Sequence, residues 1–377
     1  MKIVCDNKIP FLRGAFEPYA EVVYLPGAGT TPEVVKDADA IVTRTRTRCD
    51  ASLLTGSSVR AIATATIGFD HIDTAWCEAN GIAWSNAPGC NSWSVKQYIS
   101  SVLAVLAERH GLQLDTLTLG VVGVGNVGSK VAEVGRAFGM RVLLNDPPRA
   151  RAEGGEAFTD LDTLLRESDI VTVHVPLTRG GGDATWHLFD AARLERMRPS
   201  QILINSSRGP VVDNAALKEA LRKGALKAAV LDVWEGEPDI DIELLGLLDI
   251  ATPHIAGYSA DGKANGTMMS VRYLASKLGL PLTEWTASGI PAPEQALEFA
   301  VDASGSTVQE VLIEAVLHTY DVRRDSDALR AAPDSFERLR GDYWVRREPS
   351  AFTLTLLHGT GDLASRLERI GFKVKTQ

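Results

Sequence analysis

Short apolar runs alternate along the chain with segments whose apolar residues recur at helical spacing. One group of runs occupies residues 3–5, 21–25, 40–45 and 60–66. A second group, which lies beyond residue 116, starts with TLGVV and continues with RVLLND, DIVTVHV, QILINSS and KAAVLDV. Strands that are apolar on both faces and alternate with helices are typical of parallel sheets covered on both sides. The pattern therefore predicts an α/β fold with two doubly wound parallel sheets in residues 1–280.

Two longer helices and one linker suggest where the domains divide. The spacing predicts helices over 94–110 and 259–279, and three prolines in LPLTEWTASGIPAPEQ mark a linker at 280–295. If the second helix packs back onto the first sheet, the first domain is discontinuous, with residues 1–95 and 257–282. Residues 96–256 then form the second domain.

The last part of the chain, residues 283–377, carries its own pattern. A helix is predicted at 307–322 and a strand at 351–357, followed by the closing segment LASRLERIGFKV. These elements predict a small third α/β domain.

Composition narrows the class of protein. The chain has 377 residues, of which 45% are hydrophobic, and this excludes a disordered protein. Its 39 basic and 48 acidic side chains give a net charge of -9, which argues against a nucleic-acid partner. An anionic substrate would then need a local cluster of cations. The N-terminus lacks the apolar core of a signal peptide, and no run reaches the length of a membrane helix, so we expect no membrane partner.

The cysteines predict the compartment. Four of them are spread along the chain without the CxxC or Cys/His spacing of a zinc site, so we expect no bound metal. Free, scattered cysteines are typical of small buried side chains in a reducing compartment, which predicts a cytoplasmic protein.

A glycine motif follows the strand TLGVV directly. Gly123, Gly125 and Gly128 form GxGxxG before the helical segment NVGSKVAEVGRAFG. In a Rossmann-like sheet the first glycine permits a tight turn and the second lets the backbone approach a pyrophosphate. The third allows close packing, with the phosphates at the helix N-terminus. A glycine-rich turn without a ligand is the alternative.

Asp146 ends the next strand, 18 residues after Gly128. A carboxylate at this position hydrogen-bonds the ribose hydroxyls and repels a 2′-phosphate, so NAD is expected rather than NADP. Arg149 argues in the other direction, because an arginine can accommodate that phosphate.

Three charged residues follow strands of the second group, where open α/β sheets bind their ligands. Arg208 lies in SSRGPVVD, Glu237 in DVWEGEP and His254 in TPHIAGYS. Oxidation of a hydroxyl to a carbonyl requires a base for the hydroxyl proton, and histidine suits that role. A neighbouring carboxylate would orient the ring, and an arginine can hold a substrate carboxylate with two hydrogen bonds. Each residue also has an alternative explanation when it is considered alone. His254 could cap a loop, Glu237 could be a solvated loop charge, and Arg208 could pair with a surface carboxylate.

These segments resemble the D-isomer-specific 2-hydroxyacid dehydrogenases over residues 1–280. The resemblance implies that Arg208, Glu237 and His254 are catalytic. It also implies that the second domain binds NAD and that the first binds the substrate. Beyond the three glycines and Asp146, the cofactor-binding residues that it implies are Asn126, Val127, Val175, Asp232 and Gly257.

Three features resemble the branch of this family that oxidises 4-phospho-D-erythronate to (R)-3-hydroxy-2-oxo-4-phosphobutanoate in vitamin B6 biosynthesis. They are Tyr258 in PHIAGYS, the segments VTRTRT and ATATIGFDHID, and the C-terminal domain with LRGDYWVRREPSAF. The resemblance implies substrate contacts at Thr45, Thr66 and Tyr258, and a homodimer formed through residues 283–377. It thereby extends to nearly the whole chain. Thr45 stands where a serine is more usual, which keeps the hydroxyl.

Arginines are the expected ligands of a phosphorylated substrate. Arg44, Arg46 and Arg48 alternate along VTRTRTR, so one strand face could carry all three, although a solvated edge is an equal alternative. We expect Arg346 and Arg347 to be a surface pair rather than phosphate ligands across a dimer interface.

Two other functions stay open at this point. One is a dehydrogenase for another D-2-hydroxy acid such as 3-phosphoglycerate, against which Tyr258 counts. The other is an NAD-sensing regulatory protein without turnover, which would not need all three of Arg208, Glu237 and His254.

Overall fold

The structure, a computed structural model, describes residues 1–377. The chain divides into two compact units. The first unit contains Met1–Asn91 and Ser259–Ala292, and the second contains Ser92–Tyr258 and Pro293–Gln377. The C-terminal residues from Pro293 are therefore grouped with the nucleotide-motif part of the chain. The division into three domains remains a prediction.

Fourteen strands form three parallel sheets. The strands are β1 Lys2–Asp6, β2 Glu21–Leu25, β3 Ala40–Thr43, β4 Ala61–Thr64, β5 Ala83–Ser85, β6 Thr118–Val122, β7 Arg141–Asn145, β8 Ile170–Val173, β9 Ile202–Asn205, β10 Ala228–Leu231, β11 Ile250–Ala251, β12 Glu298–Asp302, β13 Thr353–Leu357 and β14 Lys373–Thr376. The apolar pattern predicted most of them, but not the short strand β5, the mostly exposed strand β12 or the last strand β14.

Helices connect the strands. They are α1 Pro32–Val35, α2 Ala51–Leu54, α3 Thr74–Ala79, α4 Ser92–His110, α5 Gly128–Ala137, α6 Pro147–Glu153, α7 Leu161–Glu167, α8 Ala191–Glu195, α9 Asn214–Arg222, α10 Ile242–Leu247, α11 Ala260–Leu278, α12 Val308–Thr319, α13 Arg323–Ala331, α14 Phe336–Gly341 and α15 Gly361–Ile370. Aspartate side chains cap the N-termini of α6 to α10, each accepting a hydrogen bond from a backbone N–H of the first turn. Such caps stabilise a helix by about 1 kcal/mol each.

The first unit is built on a five-stranded parallel sheet in the order β2-β1-β3-β4-β5. Alternate residues of β1 enter opposite cores, because side chains along a strand point to opposite faces. Ile3 packs with Val271 and Leu274 of α11, and Val4 packs with Ile62 and other residues on the other face. Both faces of the sheet are therefore covered, which confirms the predicted doubly wound arrangement.

The second unit contains a six-stranded parallel sheet in the order β11-β10-β9-β8-β6-β7. The chain runs from β6 to β7 on one side and then returns to β8 on the other, so the order reverses beside β6. In open α/β sheets the crevice at such a reversal binds ligands beyond the carboxyl ends of the strands. The glycine motif follows β6 at this point.

The C-terminal residues form a three-stranded parallel sheet in the order β12-β13-β14. This small sheet shares its hydrophobic core with the large one. Val102 of α4 and Leu119 of β6 belong to the same buried cluster as Leu312 of α12, Leu354 of β13 and Leu367 of α15. The C-terminal segment is therefore packed on the six-stranded sheet of its own chain.

A buried lysine strengthens this packing. The Nζ atom of Lys96 in α4 donates to Glu133 Oε2 at 2.7 Å and to the carbonyl oxygen of Arg369 at 2.6 Å. These bonds join α4 to α5 and to α15. A buried ammonium group must be paired in this way, because an unpaired charge in the interior is costly.

All four cysteines are free and buried. No helix of the chain is both long enough and apolar enough to cross a membrane.

Candidate active site

The glycine turn joins β6 to α5. Gly123 has a φ of +86°, and a Cβ there would lie 2.6 Å from the carbonyl oxygen of His174. A Cβ on Gly128 would lie 1.9 Å from the carbonyl oxygen of Gly123. These two positions therefore require glycine for the turn itself.

Gly125 differs from the other two glycines, because a Cβ at this position would meet no atom within 4 Å. The space in front of its backbone is open, and the N-terminus of α5 begins three residues later. A turn of this shape fits a pyrophosphate, whose oxygens accept hydrogen bonds from backbone N–H groups at a helix N-terminus.

Other residues expected at the cofactor surround this turn. Asn126 is exposed, and Val127 is the residue preceding α5. Val175 follows β8, with its Cγ1 2.7 Å from the position of a Cβ on Gly123. The structure thus brings Val175 to the glycine turn.

Asp146 follows β7 and caps α6. Its Oδ2 accepts a hydrogen bond from the backbone N–H of Val124 at 2.9 Å, and its Oδ1 accepts one from the backbone N–H of Arg149 at 3.1 Å. The carboxylate is therefore held directly against the glycine turn. The Arg149 guanidinium forms an ion pair with Glu153 at 2.7 Å, so the side chain that argued for a 2′-phosphate already has an anionic partner.

The three predicted catalytic residues follow three neighbouring strands. Arg208 follows β9, Glu237 follows β10 and His254 follows β11, and these strands lie side by side in the sheet. Because the strands are parallel, their carboxyl ends share one edge. The three charged residues that follow successive strands in the sequence therefore lie at the same edge of the folded sheet.

His254 and Glu237 form a direct pair. Nδ1 of His254 lies 2.7 Å from Oε2 of Glu237, and the other oxygen of Glu237 accepts the backbone N–H of Trp234 at 2.8 Å. Burial raises the pKa of Glu237, but the hydrogen bond and the charge of His254 outweigh burial and leave this pKa below its ordinary value. An ionised carboxylate at Nδ1 orients the ring and directs Nε2 away from Glu237.

The backbone of His254 is strained. Its φ is +56°, in the left-handed region that residues other than glycine rarely adopt. Its N–H donates to the carbonyl oxygen of Asp232 at 2.7 Å. The Asp232 carboxylate then accepts the N–H groups of Ile255 at 2.8 Å and Ala256 at 2.9 Å. These bonds maintain the strained turn and place Gly257 directly after it.

Asp232 is itself completely enclosed. Thr252 Oγ1 donates to its carboxylate at 2.7 Å, and the hydroxyl of the buried Tyr98 lies 2.9 Å from Thr252 Oγ1. Burial raises the pKa of Asp232, against the opposing effect of His254 and these hydrogen bonds. The contacts described here hold the 252–257 loop, and its expected contact with the cofactor remains a prediction.

Arg208 is positioned by a close backbone approach. A Cβ on Gly209 would lie 2.0 Å from the carbonyl oxygen of Trp234, so the loop after β9 packs against the loop after β10 only with glycine there. The Arg208 Nη1 donates to the carbonyl oxygen of Ser207 at 2.8 Å. Gly209 is part of the motif SSRGPVVD, but the sequence did not reveal why a glycine is required at this position.

A second histidine supports the loop that carries Glu237. Nε2 of His187 lies 2.8 Å from Oε1 of Glu235, whose other oxygen accepts the N–H of Asn214 at 2.9 Å. Asp213 Oδ2 lies 3.6 Å from Nδ1 of the same ring. These contacts join three loops at the carboxyl edge of the sheet, and no motif in the sequence predicted them.

Thr45 and Thr66 belong to the first unit. Thr45 is exposed in the turn after β3, and the Thr66 hydroxyl donates to the carbonyl oxygen of Gly68 at 2.8 Å. Thr64 Oγ1 lies 2.8 Å from Thr66 Oγ1 and 3.1 Å from Nε2 of His71. Thr64 therefore connects Thr66 to His71, a histidine for which the sequence suggested no functional role.

Of the two alternatives for Arg44, Arg46 and Arg48, the one that placed all three on one strand face was wrong. β3 ends at Thr43, and the three arginines lie in the loop that follows. Arg44 donates to the carbonyl oxygen of Lys8 at 3.1 Å, and Arg48 pairs with Asp50 at 2.7 Å. The alternating threonines and arginines resembled a strand, but the chain leaves the sheet once it runs out of apolar residues.

Tyr258 lies in the second unit, where it contacts the C-terminal segment. Nη2 of Arg340 donates to its hydroxyl at 3.3 Å, and the ring of Tyr343 meets its ring edge-on at 5.8 Å between centroids. Neither contact could be read from the sequence, although both residues lie in the segment LRGDYWVRREPSAF that the resemblance singled out.

The expectation that Arg346 belongs to a surface pair was also wrong. Arg346 is fully buried, with its guanidinium carbon 4.5 Å from the Tyr320 ring centroid. Tyr320 and Tyr343 each donate a hydroxyl to the Asp325 carboxylate at 2.7 Å. The negative charge of Asp325 and two aromatic faces make a buried guanidinium tolerable, because each offsets part of its lost hydration.

Comparison with known proteins identifies the family. A model of the D-isomer specific 2-hydroxyacid dehydrogenase NAD binding domain matches residues 95–256, and a domain of unknown function matches residues 293–371. Erythronate-4-phosphate dehydrogenase from Bacteroides fragilis is 52% identical over 357 residues, covering 94% of this chain and 99% of the relative. The chain belongs to the erythronate-4-phosphate dehydrogenase family.

Other members and solved structures agree with this family. Erythronate-4-phosphate dehydrogenase from Proteus mirabilis is 44% identical over 375 residues, covering 99% of both chains. Among solved structures, D-lactate dehydrogenase from Aquifex aeolicus, in complex with NAD and lactic acid, superposes with a TM-score of 0.61 at 28% identity. It covers 78% of this chain and all of that one. The erythronate-4-phosphate dehydrogenase family thus accounts for both the NAD-binding fold and the C-terminal extension.

Proposed function

We propose that this protein oxidises the C2 hydroxyl of 4-phospho-D-erythronate with NAD, forming (R)-3-hydroxy-2-oxo-4-phosphobutanoate for pyridoxal 5′-phosphate biosynthesis. The observation that carries the proposal is the 2.7 Å pair of His254 and Glu237, which follow strands of the same six-stranded sheet as the glycine turn after β6. The erythronate-4-phosphate dehydrogenase relatives support the choice of substrate.

When bound, NAD would accept the hydride that leaves C2 of the substrate. The pyrophosphate would lie at Gly123, Gly125 and Gly128, where the open space at Gly125 and the N-terminus of α5 fit an anion. Asp146 would hydrogen-bond the adenosine ribose, since its carboxylate lies against the same turn. The further residues that we assign to the cofactor are Asn126, Val127, Val175, Asp232 and Gly257.

His254 acts as the general base. Its Nδ1 is engaged by Glu237, so Nε2 is the nitrogen that takes the C2 hydroxyl proton. The ionised Glu237 then stabilises the imidazolium that forms. The low pKa of Glu237 keeps this carboxylate charged at neutral pH, which is the state that the reaction needs.

Arg208 is assigned to the substrate carboxylate. A guanidinium can donate two parallel hydrogen bonds to a carboxylate and polarise the carbonyl that develops beside it. We assign Thr45, Thr66 and Tyr258 to the substrate as well, because the resemblance to the erythronate-4-phosphate dehydrogenases implies these contacts.

The test is a substrate assay on purified protein, monitored as NADH absorbance. We expect NAD reduction with 4-phospho-D-erythronate and a kcat/KM at least about 10²-fold lower with 3-phospho-D-glycerate. A reversed preference would assign the protein to another 2-hydroxy acid. NAD binding without turnover on either compound, together with an NAD-dependent protein partner, would instead indicate a sensor.

We further propose a cytoplasmic homodimer formed through residues 283–377. Two exposed large apolar side chains of the second unit, Leu297 and Val308, lie in this segment and support an interface there. Sedimentation equilibrium should give twice the chain mass. The double variant Leu297→Glu/Val308→Glu should sediment as a monomer, and a wild-type protein that sediments as a monomer would refute the dimer.

A further inference from the structure

The short helix α14 places one arginine against Tyr258. Nη2 of Arg340 donates to the Tyr258 hydroxyl oxygen at 3.3 Å, and the guanidinium carbon lies 5.8 Å from the centroid of the Tyr258 ring. The same carbon lies 5.9 Å from the ring of the buried Phe336. The guanidinium therefore contacts the ring that precedes α11 and the ring that anchors α14.

The fold holds this side chain in place. Arg340 is 23% exposed, and its Nη1 donates to Glu337 Oε1 one turn earlier at 2.9 Å. Its Nε is buried and has no hydrogen-bond partner. Leaving a buried donor without a partner costs free energy. The guanidinium therefore keeps this position because the packing of α14 outweighs that cost.

The positive charge also acts on the catalytic pair. After burial and the effects of His254 and Trp234, the charge of Arg340 contributes to the low pKa of Glu237. An arginine from the C-terminal segment thus influences the residue that supports the general base. The effect at Glu237 is small compared with that of His254, whereas the contact with Tyr258 is direct.

Hydrogen-bond direction determines what this contact does. A guanidinium only donates, so Tyr258 must accept from Arg340 through its oxygen. The phenolic hydrogen is consequently directed to a different acceptor. Donation from a cation also polarises the hydroxyl and makes it a stronger donor to an anionic oxygen.

We propose that Arg340 is a positioning residue for substrate specificity. It orients and polarises the Tyr258 hydroxyl so that this group donates to an anionic oxygen of the substrate. The proposal rests on the proposed function for the role of Tyr258 at the substrate. It gives the C-terminal segment a part in the substrate site of its own chain, in addition to any part in dimer formation.

A double-mutant cycle tests the proposal. The proteins are the full-length wild type, Arg340→Gln, Tyr258→Phe and the double variant, assayed with 4-phospho-D-erythronate at saturating NAD. We expect each single variant to raise KM by about 10-fold or more, with a change in kcat of less than about 3-fold. The double variant should resemble Tyr258→Phe, because Arg340 acts through the hydroxyl that is already gone.

Three further measurements exclude a purely structural effect. Arg340→Lys should restore part of the loss in KM, since an ammonium also donates to the tyrosine oxygen. Arg338→Gln is the matched control, because Arg338 is exposed on the same helix and bonds only Ser335. Its KM should equal that of the wild type. The Kd for NAD, measured by fluorescence, should be unchanged in Arg340→Gln.

The outcomes separate the two proposals. An Arg340→Gln variant with wild-type KM, or a double variant whose loss equals the product of the single losses, overturns the role of Arg340 alone. Wild-type protein that neither oxidises nor binds 4-phospho-D-erythronate in calorimetry overturns both proposals. If 3-phospho-D-glycerate is oxidised instead, the proposed substrate is wrong, and the same cycle on that anion decides the role of Arg340.

Discussion

The guanidinium of Arg346 donates a 2.6 Å hydrogen bond to the carbonyl oxygen of Ala256, two residues after His254. Arg346 lies in the C-terminal segment and is fully buried. The same short loop is held from the opposite direction by the Asp232 carboxylate, which accepts the N–H of Ala256. The peptide groups around Ala256 are therefore fixed on both sides, and the turn at His254 is fixed with them.

Replacing Arg346 should destabilise the protein and reduce turnover. Arg346→Met keeps most of the volume but removes the bond to Ala256 and leaves the buried Asp325 without its nearby cation. We expect the free energy of unfolding in urea to fall by about 2–4 kcal/mol. We also expect a lower kcat under native conditions. An equal midpoint of unfolding in variant and wild type would show that the charge is dispensable, and Arg338→Met serves as the exposed control.

The His254–Glu237 pair should control the chemical step. His254→Ala should lower kcat by about 10²–10⁴-fold, the usual contribution of a general base. Glu237→Gln retains the shape and removes the charge, so we expect a smaller loss of at least about 10-fold. Single-turnover rates with NAD already bound measure the step directly. The assignment fails if His254→Ala retains wild-type turnover.

The glycine turn offers a matched pair of substitutions. Gly128→Ala should reduce thermal stability, because its Cβ would lie 1.9 Å from the carbonyl oxygen of Gly123. Gly125→Ala should leave stability close to that of the wild type, since its Cβ meets nothing within 4 Å. If the pyrophosphate occupies that space, Gly125→Ala should still raise the Kd for NAD by about 10-fold or more. Calorimetric Tm values and NAD titrations separate the two effects, and unchanged NAD affinity in Gly125→Ala would contradict the assignment.

His174 should make the stability depend on pH. Burial lowers the pKa of this ring to about 3 in the folded protein, whereas an unfolded histidine has a pKa of about 6.5. The unfolded chain therefore binds the extra proton as the pH falls below about 6.5. The stabilisation from the neutral ring is complete above that pH and is lost as the pH falls towards 3.

The measurement compares wild type and His174→Asn in urea between pH 6.5 and 4.5. The wild type should lose up to about 1.4 kcal/mol more per pH unit than the variant, because one extra proton is bound on unfolding. Equal slopes in wild type and His174→Asn would show that the buried ring does not titrate in this way.

Local features of the sequence were sufficient to predict the architecture and to predict that Arg208, Glu237 and His254 follow strands of one sheet. Apolar runs bounded by turn residues predicted most strands because a buried parallel strand needs apolar side chains on both faces. The spacing of Gly123, Gly125 and Gly128 predicted the turn after β6, because the requirement for glycine there is a property of the local backbone. His254 and Glu237 could be predicted to lie close together because the carboxyl ends of parallel strands meet at one edge.

The errors had a different origin. Arg44, Arg46 and Arg48 alternate like residues of a strand, but alternation without apolar partners does not extend a sheet. Arg346 looked like a surface residue, because charge normally predicts exposure. Only its surroundings, two tyrosine rings and Asp325, make its burial possible, and of these residues Tyr320 and Asp325 are distant from Arg346 along the chain.

The sequence by itself determined the alternation of strands and helices, the nucleotide turn and the chemistry available at the strand ends. These depend on residue type and on contacts between residues close in sequence. Only the tertiary structure decided that residues 293–377 share a core with the six-stranded sheet and that Arg340 and Arg346 reach the loop of His254 and Tyr258. Contacts across more than eighty residues are set by how complementary faces pack, and no local pattern encodes which side chains then meet.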